Sequence, residues 1–405
     1  MRAGRCDILV TGDAARLVRA AASAPGCVRR AGSQMSIHWS EDGVEHSATW
    51  HSENATPAPT RVVLVDDTTR ADTAYRLARK GTGLLWRGDY HNARQLLKAM
   101  DRRLRRHASR RGGTGTDFAA HRAERAERSR VLGMLLVELE DDHSLRLRRA
   151  PDVREACHGA YGAPAGGMCV ALQELLGVIG AHQWQTKGVP VPALDASVHP
   201  GYGVFSPVRG EYIDLVATAP LPVEAPRVFD LGTGTGVLAA VLARRGAARV
   251  VATDISGRAV AAARDTMTRL GLGSTVDVIE TDLFPPGRAD LVVCNPPWLP
   301  GAPTSTLEAG IYDPDSDMLR RFLGGLTGHL EPGGEGWLVI SDLAEHLGLR
   351  SREELLALVA DAGLRVAGRH DTRPRHARAT DAKDALHAAR RAEVTSLWRL
   401  VPATA

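Results

Sequence analysis

Cysteine is scarce in this sequence. Its 405 residues include five cysteines, an odd number, and no two of them are spaced as C-x-x-C. A disulfide framework and a zinc ribbon both depend on paired cysteines, so neither is expected. Few and unpaired cysteines are typical of a reducing compartment.

Long apolar runs are also lacking. No uncharged apolar stretch approaches the ~20 residues of a membrane-spanning helix, and Met1–Val10 is too short and too charged for the apolar region of a secretion signal. We therefore expect a cytoplasmic protein without a membrane segment. Because hydrophobic residues make up 44% and charged residues 24% of the chain, we also expect folded globular domains, two or three of them at this length.

Lysine contributes four of the 51 cationic residues, so arginine carries nearly all of the positive charge. The net charge of +4 is unevenly distributed. Arg102–Arg130 holds ten arginines against three acidic residues, a net +7, and His370–Arg391 holds six cations against three aspartates, a net +3. Such clusters are typical of contact with an anionic partner. Genomic bias toward arginine, or a solvated helix with many salt bridges, would explain them without such a partner.

The first part of the chain predicts a small α/β domain. Arg61–Asp67 and Thr82–Gly88 are short apolar runs of the kind found in buried strands. A helix fits between them, and a second helix with Asp89 as its N-cap follows them. Neither strand is followed by a glycine-rich turn, so we interpret residues 1–110 as an N-terminal α/β domain without a cofactor loop.

A charged, glycine-rich stretch, His107–Thr116, interrupts this pattern. A helical pattern then runs from Asp117 to about Leu139, and Ala150–Trp184 predicts two further helices. We therefore interpret residues 111–195 as a helical linker region, with a new domain beginning after it.

From there on, strands and helices alternate at the spacing of a doubly wound α/β fold. The last two predicted strands can form a closing antiparallel pair, which gives a sheet of seven strands. The seven segments are Arg227–Gly232, Arg249–Asp254, Ser274–Asp282, Ala289–Asn295, Gly336–Asp342, Arg365–Arg369 and Val394–Val401.

A glycine-rich turn, DLGTGTG, follows the first of these strands and opens a helix. Asp230 begins it, and Gly232, Gly234 and Gly236 allow a tight turn and a close approach of the backbone to a ligand. The dinucleotide fingerprint G-x-G-x-x-G would need glycine where Val237 stands. A tight turn with no ligand is the alternative interpretation.

Two carboxylates follow the next two strands. Asp254 ends the second strand, where it can accept hydrogen bonds from both hydroxyls of a ribose, in NAD or in S-adenosylmethionine. Asp282 ends the third strand at the same edge, placed to accept a hydrogen bond from an adenine amine. Taken alone, Asp282 is also explained as a loop cap.

The fourth strand is followed directly by Asn295, Pro296, Pro297 and Trp298. Two prolines cannot lie in the interior of a sheet, and they stiffen the turn so that the Asn295 amide oxygen and the Pro296 carbonyl project at the sheet edge. Two such acceptors suit a planar NH₂ group, and Trp298 offers a face for a planar group to stack on. A rigid turn with a packed tryptophan is the structural alternative.

In combination, these motifs resemble the class I S-adenosylmethionine-dependent methyltransferases, in the branch with an NPPY-type motif that methylates planar nitrogens. The resemblance covers about Val204–Val401. Within this branch, the chain is similar to the ribosomal RNA guanine methyltransferases and the release-factor glutamine methyltransferases. It implies a Rossmann-like methyltransferase domain over residues 196–405 with S-adenosyl-L-methionine as cofactor. Trp298 stands where this family usually has tyrosine or phenylalanine.

The resemblance also implies roles for the cofactor residues. The loop Asp230–Gly236 would bind the methionine part of the cofactor, Asp254 its ribose, and Asp282 would lie beside the adenine. Phe205 and Pro207, in the segment before the first strand, would cover the methyl end. We see no spacing typical of metal ligands and expect no metal.

The implied reaction is methyl transfer to a planar nitrogen, with Asn295, Pro296 and Trp298 holding the target. We expect RNA as the substrate, a guanine amine in ribosomal RNA, gripped through Arg102–Arg130 and Arg373–Arg391. A protein glutamine or a small planar amine is the alternative substrate. A cofactor-binding module without turnover, or an NAD-dependent dehydrogenase, is the alternative of a different class.

Overall fold

The computed structural model describes residues 35–110, 118–304, 308–374 and 386–403. Parts of both arginine-rich segments, residues 111–117 and 375–385, lie outside the described residues, as do residues 1–34 of the predicted N-terminal domain. No helix of the described part is long and apolar enough to cross a membrane.

The N-terminal half forms a six-stranded sheet in the order β1-β2-β6-β5-β4-β3. Its strands are β1 Ser36–Glu41, β2 Val44–Trp50, β3 Arg61–Val65, β4 Thr82–Trp86, β5 Leu135–Leu139 and β6 Met168–Ala171. Its helices are α1 Ala71–Arg79, α2 Tyr90–Arg110, α3 Phe118–Leu132, α4 Arg154–Tyr161 and α5 Leu172–Lys187. The predicted strands β3 and β4 are confirmed, and the Asp89 side chain caps α2 by accepting a hydrogen bond from the His91 N–H at 2.9 Å.

The helical region predicted over residues 111–195 also contains strands, and two of them, β5 and β6, belong to the N-terminal sheet. The helix that starts near Asp117 ends at Leu132, and the buried apolar run β5 follows it as an inner strand of the sheet. β6 is a second inner strand between α4 and α5. A short apolar run has no periodicity that separates a buried strand from a helix, so only pairing with neighbouring strands decided these elements. The domain boundaries near residues 110 and 195 stay a prediction.

The hairpin of β1 and β2 is not among the predicted elements. Ile37 and Trp39 alternate with exposed residues along β1, and a turn at Asp42 and Gly43 follows, with φ values of 52° and 79°. Asp-Gly is the residue pair that a two-residue hairpin turn favours, because both positions need positive φ. That pair was the signal available in the sequence.

A short antiparallel ribbon leads into the C-terminal half, formed by β7 Val189–Val191 and β8 Ala196–Val198. The second sheet has seven strands in the order β11-β10-β9-β12-β15-β17-β16, and β17 runs antiparallel to both of its neighbours. The prediction of a seven-stranded doubly wound sheet with a closing antiparallel pair is therefore confirmed.

The remaining elements are bounded as follows. The strands are β9 Arg227–Leu231, β10 Arg249–Asp254, β11 Val276–Glu280, β12 Ala289–Cys294, β13 Leu299–Pro300, β14 Tyr312–Asp313, β15 Leu330–Ser341, β16 Leu364–Thr372 and β17 Thr395–Pro402. The helices are α6 Glu211–Thr218, α7 Val237–Arg244, α8 Gly257–Leu270, α9 Asp317–His329, α10 Leu343–His346, α11 Arg352–Asp361 and α12 His387–Ala392.

Helices cover both faces of the second sheet, so its central strands are apolar on both sides. Along β9, Val228 packs into one hydrophobic cluster with α6 and α7, and Phe229 packs into the opposite cluster with α9 and α11. The chain moves from β9 outward through β10 and β11, then returns to β12 on the other side of β9. Ligands of open α/β sheets bind at such a switch point, outside the carboxyl ends of the strands.

The N-terminal half contacts the second sheet at the start of α8. The Glu53 carboxylate accepts a hydrogen bond from Arg258 Nη1 at 2.6 Å and pairs with His51 Nε2 at 3.0 Å. Arg258 Nη2 also donates to the carbonyl of Ala160 at 2.8 Å. Because Arg258 lies four residues after Asp254 in the chain, this contact fixes the helix that follows the predicted ribose carboxylate.

This contact predicts a pH-dependent contribution to stability. Burial alone would raise the pKa of Glu53, but the hydrogen bonds from His51 and Arg258 lower it from 4.5 to about 2. A carboxylate with a lowered pKa stabilises the fold above its unfolded-state pKa and loses that contribution as the pH falls toward the folded-state pKa. We expect Glu53→Gln to lower the free energy of unfolding by about 3 kcal/mol at neutral pH and by progressively less between pH 4.5 and 2.

Urea unfolding across this pH range measures the difference between the wild type and the variant. Glu124→Gln, an exposed carboxylate on α3, is the matched control and should change little at any pH. A difference between wild type and Glu53→Gln that does not depend on pH would contradict the prediction.

Candidate functional site

The glycine loop after β9 turns in the left-handed region. Gly232, Gly234 and Gly236 have φ values of 68°, 57° and 78°. A Cβ on Gly236 would lie 2.8 Å from Met267 Cε, and one on Gly232 would lie 2.7 Å from Met318 Cε, so these two positions are closely packed. A Cβ on Gly234 would meet nothing within 4 Å. The loop therefore presents an open surface at Gly234.

Asp230 holds this loop from inside. Its side chain is buried, and its Oδ2 accepts hydrogen bonds from Thr233 Oγ1 at 2.6 Å and from the Ala239 N–H at 3.0 Å. Burial raises the pKa of Asp230 to about 6, against the opposing effect of these hydrogen bonds. The two bonds join the loop to the first turn of α7. A direct contact of Asp230 with a cofactor stays a prediction.

Asp254 lies against the open part of the loop. Its Oδ2 accepts a hydrogen bond from the Gly234 N–H at 3.0 Å, and its Oδ1 accepts one from the Ser256 N–H at 2.9 Å. Burial raises the pKa of this carboxyl group. Each carboxylate oxygen keeps a further lone pair, so Asp254 can still accept from the two hydroxyls of a ribose. The structure thus brings two of the predicted cofactor residues into direct contact.

Asp282 follows β11 at the same edge and forms an ion pair that the sequence analysis did not anticipate. Its Oδ2 lies 2.7 Å from Arg321 Nη2 of α9, and both side chains are a little under half exposed. A partly exposed pair contributes little stability, and Asp282 retains acceptor capacity. Its predicted place beside an adenine is not excluded by this pair and stays a prediction.

The turn after β12 is stabilised by two hydrogen bonds. Trp298 Nε1 donates to Asn295 Oδ1 at 2.8 Å, so the two predicted target-binding side chains contact each other. The Trp298 carbonyl accepts from Arg350 Nη2 at 3.3 Å, and Arg350 is buried. Pro296 is buried, whereas Asn295 and Trp298 are half-buried. The Asn295 oxygen has a second lone pair for a further donor.

Phe205 and Pro207 lie in the segment before α6. Pro207 is buried and Phe205 is half-buried. The Phe205 side chain packs against Gly310, whose added Cβ would be 3.2 Å from Phe205 Cβ. This places the segment beside the loop that follows the Asn295 turn. Contact with the methyl end of a cofactor stays a prediction for both residues.

Sequence reasoning missed a polar group beside Trp298. The Arg209 guanidinium lies over the Trp298 ring, with its Cζ 5.9 Å from the centroid. Arg209 Nη1 donates to Glu393 Oε1 at 3.3 Å, and Ser341 Oγ donates to the same oxygen at 2.6 Å. These residues come from three distant parts of the chain and belong to no short motif. The only signal in the sequence was that Ser341 ends β15 at the same edge of the sheet.

The residues at this edge fit S-adenosylmethionine. Gly234 leaves space against the backbone, and Asp254 supplies acceptors for a ribose diol. Among the residues the structure describes, no group of three or more His, Cys, Asp or Glu side chains could hold a metal ion.

Residues 197–351 match the family model described as methyltransferase small domain. This part of the chain belongs to the class I S-adenosylmethionine-dependent methyltransferases. The methyl donor of that family is S-adenosylmethionine.

The chain is similar to curated relatives that are named for different substrates. It is 34% identical over 157 residues to release factor glutamine methyltransferase of Moorella thermoacetica, covering 33% of this chain and 56% of the relative. It is 36% identical over 115 residues to ribosomal RNA small subunit methyltransferase C of Alcanivorax borkumensis, covering 28% and 31%. It is 32% identical over 155 residues to tRNA1(Val) (adenine(37)-N6)-methyltransferase of Bacteroides fragilis, covering 34% and 65%.

The chain thus spans about half the length of the first curated relatives it matches. Among solved structures, the ribosomal protein L11 methylase of Lactobacillus delbrueckii subsp. bulgaricus aligns with a TM-score of 0.34 at 20% identity, covering 49% of this chain and 81% of that one.

The open surface at Gly234 predicts that a side chain at this position weakens cofactor binding. Gly234→Ala places a methyl group where the methyltransferase domain would contact its cofactor, and overpacking of this kind costs ~1–3 kcal/mol. We expect the affinity for S-adenosylhomocysteine to fall about tenfold or more, measured by calorimetry. Gly271→Ala is the control, because Gly271 ends α8 with a φ of 66° and its Cβ would also meet nothing within 4 Å.

Both substitutions carry the same backbone strain, about 1 kcal/mol of stability for a non-glycine residue in the left-handed region. Both variants should therefore lose similar thermal stability, and only Gly234→Ala should lose cofactor affinity. Equal cofactor affinity in the two variants would contradict the assignment of the loop.

Proposed function

We propose that this protein is an S-adenosylmethionine-dependent N-methyltransferase that acts on a planar nitrogen in RNA, a guanine amine of ribosomal RNA. One observation carries the proposal. The Gly234–Asp254 contact and the Asn295 turn follow the neighbouring strands β9, β10 and β12 and so share one edge of the sheet. A methyl donor on the loop and a planar amine at the turn would then lie next to each other.

The chemistry at the turn follows from the electronic structure of the target. The lone pair of an amide-like or exocyclic nitrogen is delocalised, so the nitrogen is a poor nucleophile. Acceptors for its two hydrogens, Asn295 Oδ1 and the Pro296 carbonyl, would localise that pair and stabilise the positive charge that develops on the nitrogen. S-adenosylmethionine held by the Gly234 loop and Asp254 would supply an electrophilic methyl group, which would leave the sulfur as it bonds to the nitrogen. The methylated nitrogen, held by Asn295 and the Pro296 carbonyl, would then release a proton to solvent.

The arginine-rich helix α3 supports RNA as the substrate, since it reaches the loop after the Asn295 turn. Arg122 Nη1 and Arg125 Nη2 pair with Glu308 at 3.1 and 3.3 Å, and the Arg122 guanidinium lies 4.0 Å from the centroid of the Tyr312 ring. Part of the segment Arg102–Arg130 therefore lies beside the proposed target site.

Other cations of that segment are engaged in ion pairs. Arg103 pairs with Asp72 at 2.5 Å, and Arg105 and Arg128 both pair with Asp101. These pairs favour the alternative interpretation of the segment as a salt-bridged helical surface. The arginines of α3 are ion-paired as well, Arg122 and Arg125 with Glu308, so what supports RNA is the position of α3 beside the target site.

A protein glutamine is the second candidate substrate. The release factor glutamine methyltransferases among the relatives support it, and a glutamine amide has the same planar NH₂ group as a nucleobase amine. The two candidates require different measurements. For RNA, nucleosides of ribosomal RNA from a deletion strain and from the complemented strain are compared by mass spectrometry. For protein, the same strains are compared by peptide mass spectrometry of release factors.

A methylated guanosine that is lost on deletion and restored by complementation would support the RNA proposal. Loss of a methylated glutamine with unchanged ribosomal RNA would overturn it in favour of the protein substrate. The RNA proposal also implies that the protein acts in the cytoplasm, where ribosomal RNA is exposed.

The role of Asn295 predicts a separation of binding from turnover. Because its side chain would position and polarise the target nitrogen, we expect Asn295→Ala to reduce methyl transfer about 100-fold or more. Cofactor affinity should stay nearly unchanged, since Asn295 makes no contact with Asp254 or the glycine loop in the described hydrogen bonds. Transfer of labelled methyl groups to ribosomal RNA from the deletion strain measures the first effect, and calorimetry the second.

Asn92→Ala is the control, because Asn92 is an exposed amide in the N-terminal half that bonds only to Asp67 among the side-chain contacts of the described residues. Full activity of Asn295→Ala on that RNA would remove the proposed role of the turn.

A further inference from the structure

Glu393 is a carboxylate at the edge of the second sheet where β15 ends. It is completely buried, and its Oε1 accepts hydrogen bonds from Ser341 Oγ and Arg209 Nη1. Its Oε2 has no hydrogen-bond partner among the described residues. A buried carboxylate oxygen without a donor is costly, so this atom marks a place for a donor that reaches Glu393 when the site is in use.

Strand pairing places Glu393 close to the Asn295 turn. Cys294, the last residue of β12, pairs with Leu338 of the neighbouring parallel strand β15. Ser341 therefore lies beside the turn that follows Cys294, and Ser341 holds Glu393. The hydroxyl of Thr395, which pairs with Ser341 across β15 and β17, also has no partner in the part of the chain that the structure describes.

The contacts of Arg209 indicate what kind of ligand group would fit between Trp298 and Glu393. Its guanidinium is planar and delocalised, lies over the Trp298 ring and donates an N–H to Glu393. A ligand that stacks on Trp298 and donates an N–H to Glu393 would contact the same ring and the same carboxylate, at its unpartnered Oε2. The Arg209 side chain is 21% exposed, and a ligand that binds here requires it to move aside.

We propose that Glu393 determines the specificity of this site by accepting the N1–H of a guanine that replaces the Arg209 guanidinium on Trp298. The inference rests on the proposed methylation of a guanine amine and names the residue that selects that base. The exocyclic amine of that guanine would face Asn295 and the Pro296 carbonyl, and its N1–H would face Glu393 Oε2.

The arrangement of donors distinguishes guanine from the other planar amines. In guanine, the exocyclic amine is adjacent to N1–H, which is a second donor. In adenine, the amine is adjacent to N1, which is an acceptor, and in a glutamine side chain it is adjacent to the carbonyl oxygen. The Glu393 carboxylate can accept a hydrogen bond from guanine N1–H. Adenine or glutamine would instead place an acceptor against the carboxylate, and two acceptors facing each other repel.

The test compares short single-stranded uridine oligonucleotides that carry one guanine, one 2-aminopurine or one inosine. 2-Aminopurine keeps the amine and lacks the N1–H, and inosine keeps the N1–H and lacks the amine. Binding to the wild-type protein in the presence of S-adenosylhomocysteine is measured by fluorescence anisotropy. We expect the guanine oligonucleotide to bind about tenfold or more tightly than the 2-aminopurine one, the effect of one hydrogen bond to a charged group.

In Glu393→Gln, the preference for guanine over 2-aminopurine should shrink to about threefold or less, because the amide can donate to the N1 acceptor as well as accept. The preference for guanine over inosine should remain, since it depends on Asn295. Glu353→Gln is the control, as Glu353 is an exposed carboxylate on α11. The wild-type ratio needs no variant, so the test stands even if Glu393→Gln does not fold.

The inference and the proposed function fail in different ways. Equal binding of guanine and 2-aminopurine oligonucleotides by the wild type would overturn the role of Glu393, whatever the protein methylates. An unchanged ratio in folded Glu393→Gln would also overturn it. Tight guanine-selective binding with no methylated guanosine in ribosomal RNA would instead overturn the proposed substrate and leave the recognition of guanine standing.

Discussion

The buried carboxylate of Asp230 ties the turn after β9 to the first turn of α7. Its hydrogen bonds from Thr233 and Ala239 offset the cost of placing a carboxyl group in an apolar surrounding, and burial still raises its pKa to about 6. The other site contacts depend on the turn that these bonds hold. The Gly234 N–H of this turn donates to Asp254, and the turn leaves open space at Gly234, between two closely packed glycines in the sequence.

The N-terminal half bears on this same region. Its Glu53 holds Arg258 at the start of α8, the helix that follows Asp254. The N-terminal sheet thereby contacts the helix that follows the predicted ribose carboxylate. Its helix α3 contacts the other side through the ion pairs of Arg122 and Arg125 with Glu308. The N-terminal half therefore contacts the chain both beside the proposed cofactor residues and beside the proposed target site.

In the two proposals, specificity and chemistry depend on different residues at the Asn295 turn. The Asn295 turn is part of the matched family segment and, in the proposal, serves any planar amine. Beside that turn, the Glu393 carboxylate accepts hydrogen bonds from Arg209 and Ser341. Glu393 lies beyond the matched residues 197–351. The relatives of this chain are named for ribosomal RNA, tRNA adenine and release factor glutamine, so likeness at this level does not fix the substrate. In the proposal, Glu393 makes that choice.

The sequence by itself determined the seven-stranded sheet, the glycine loop, the carboxylate that ends β10 and the turn at Asn295. Each of these has a local signal, because a buried strand is a short apolar run, and a left-handed turn or a stiff exit from a sheet needs glycine or proline at fixed positions. The β5 and β6 strands lacked such a signal, since short apolar runs are ambiguous until they pair. Only the tertiary structure decided that Asp282 pairs with Arg321, that Trp298 binds Asn295, and that Arg209 lies between Trp298 and Glu393. These contacts join residues that the insertion of β17 beside β15 and the packing of α9 bring together, and side-chain contacts of this kind leave no periodicity in the chain.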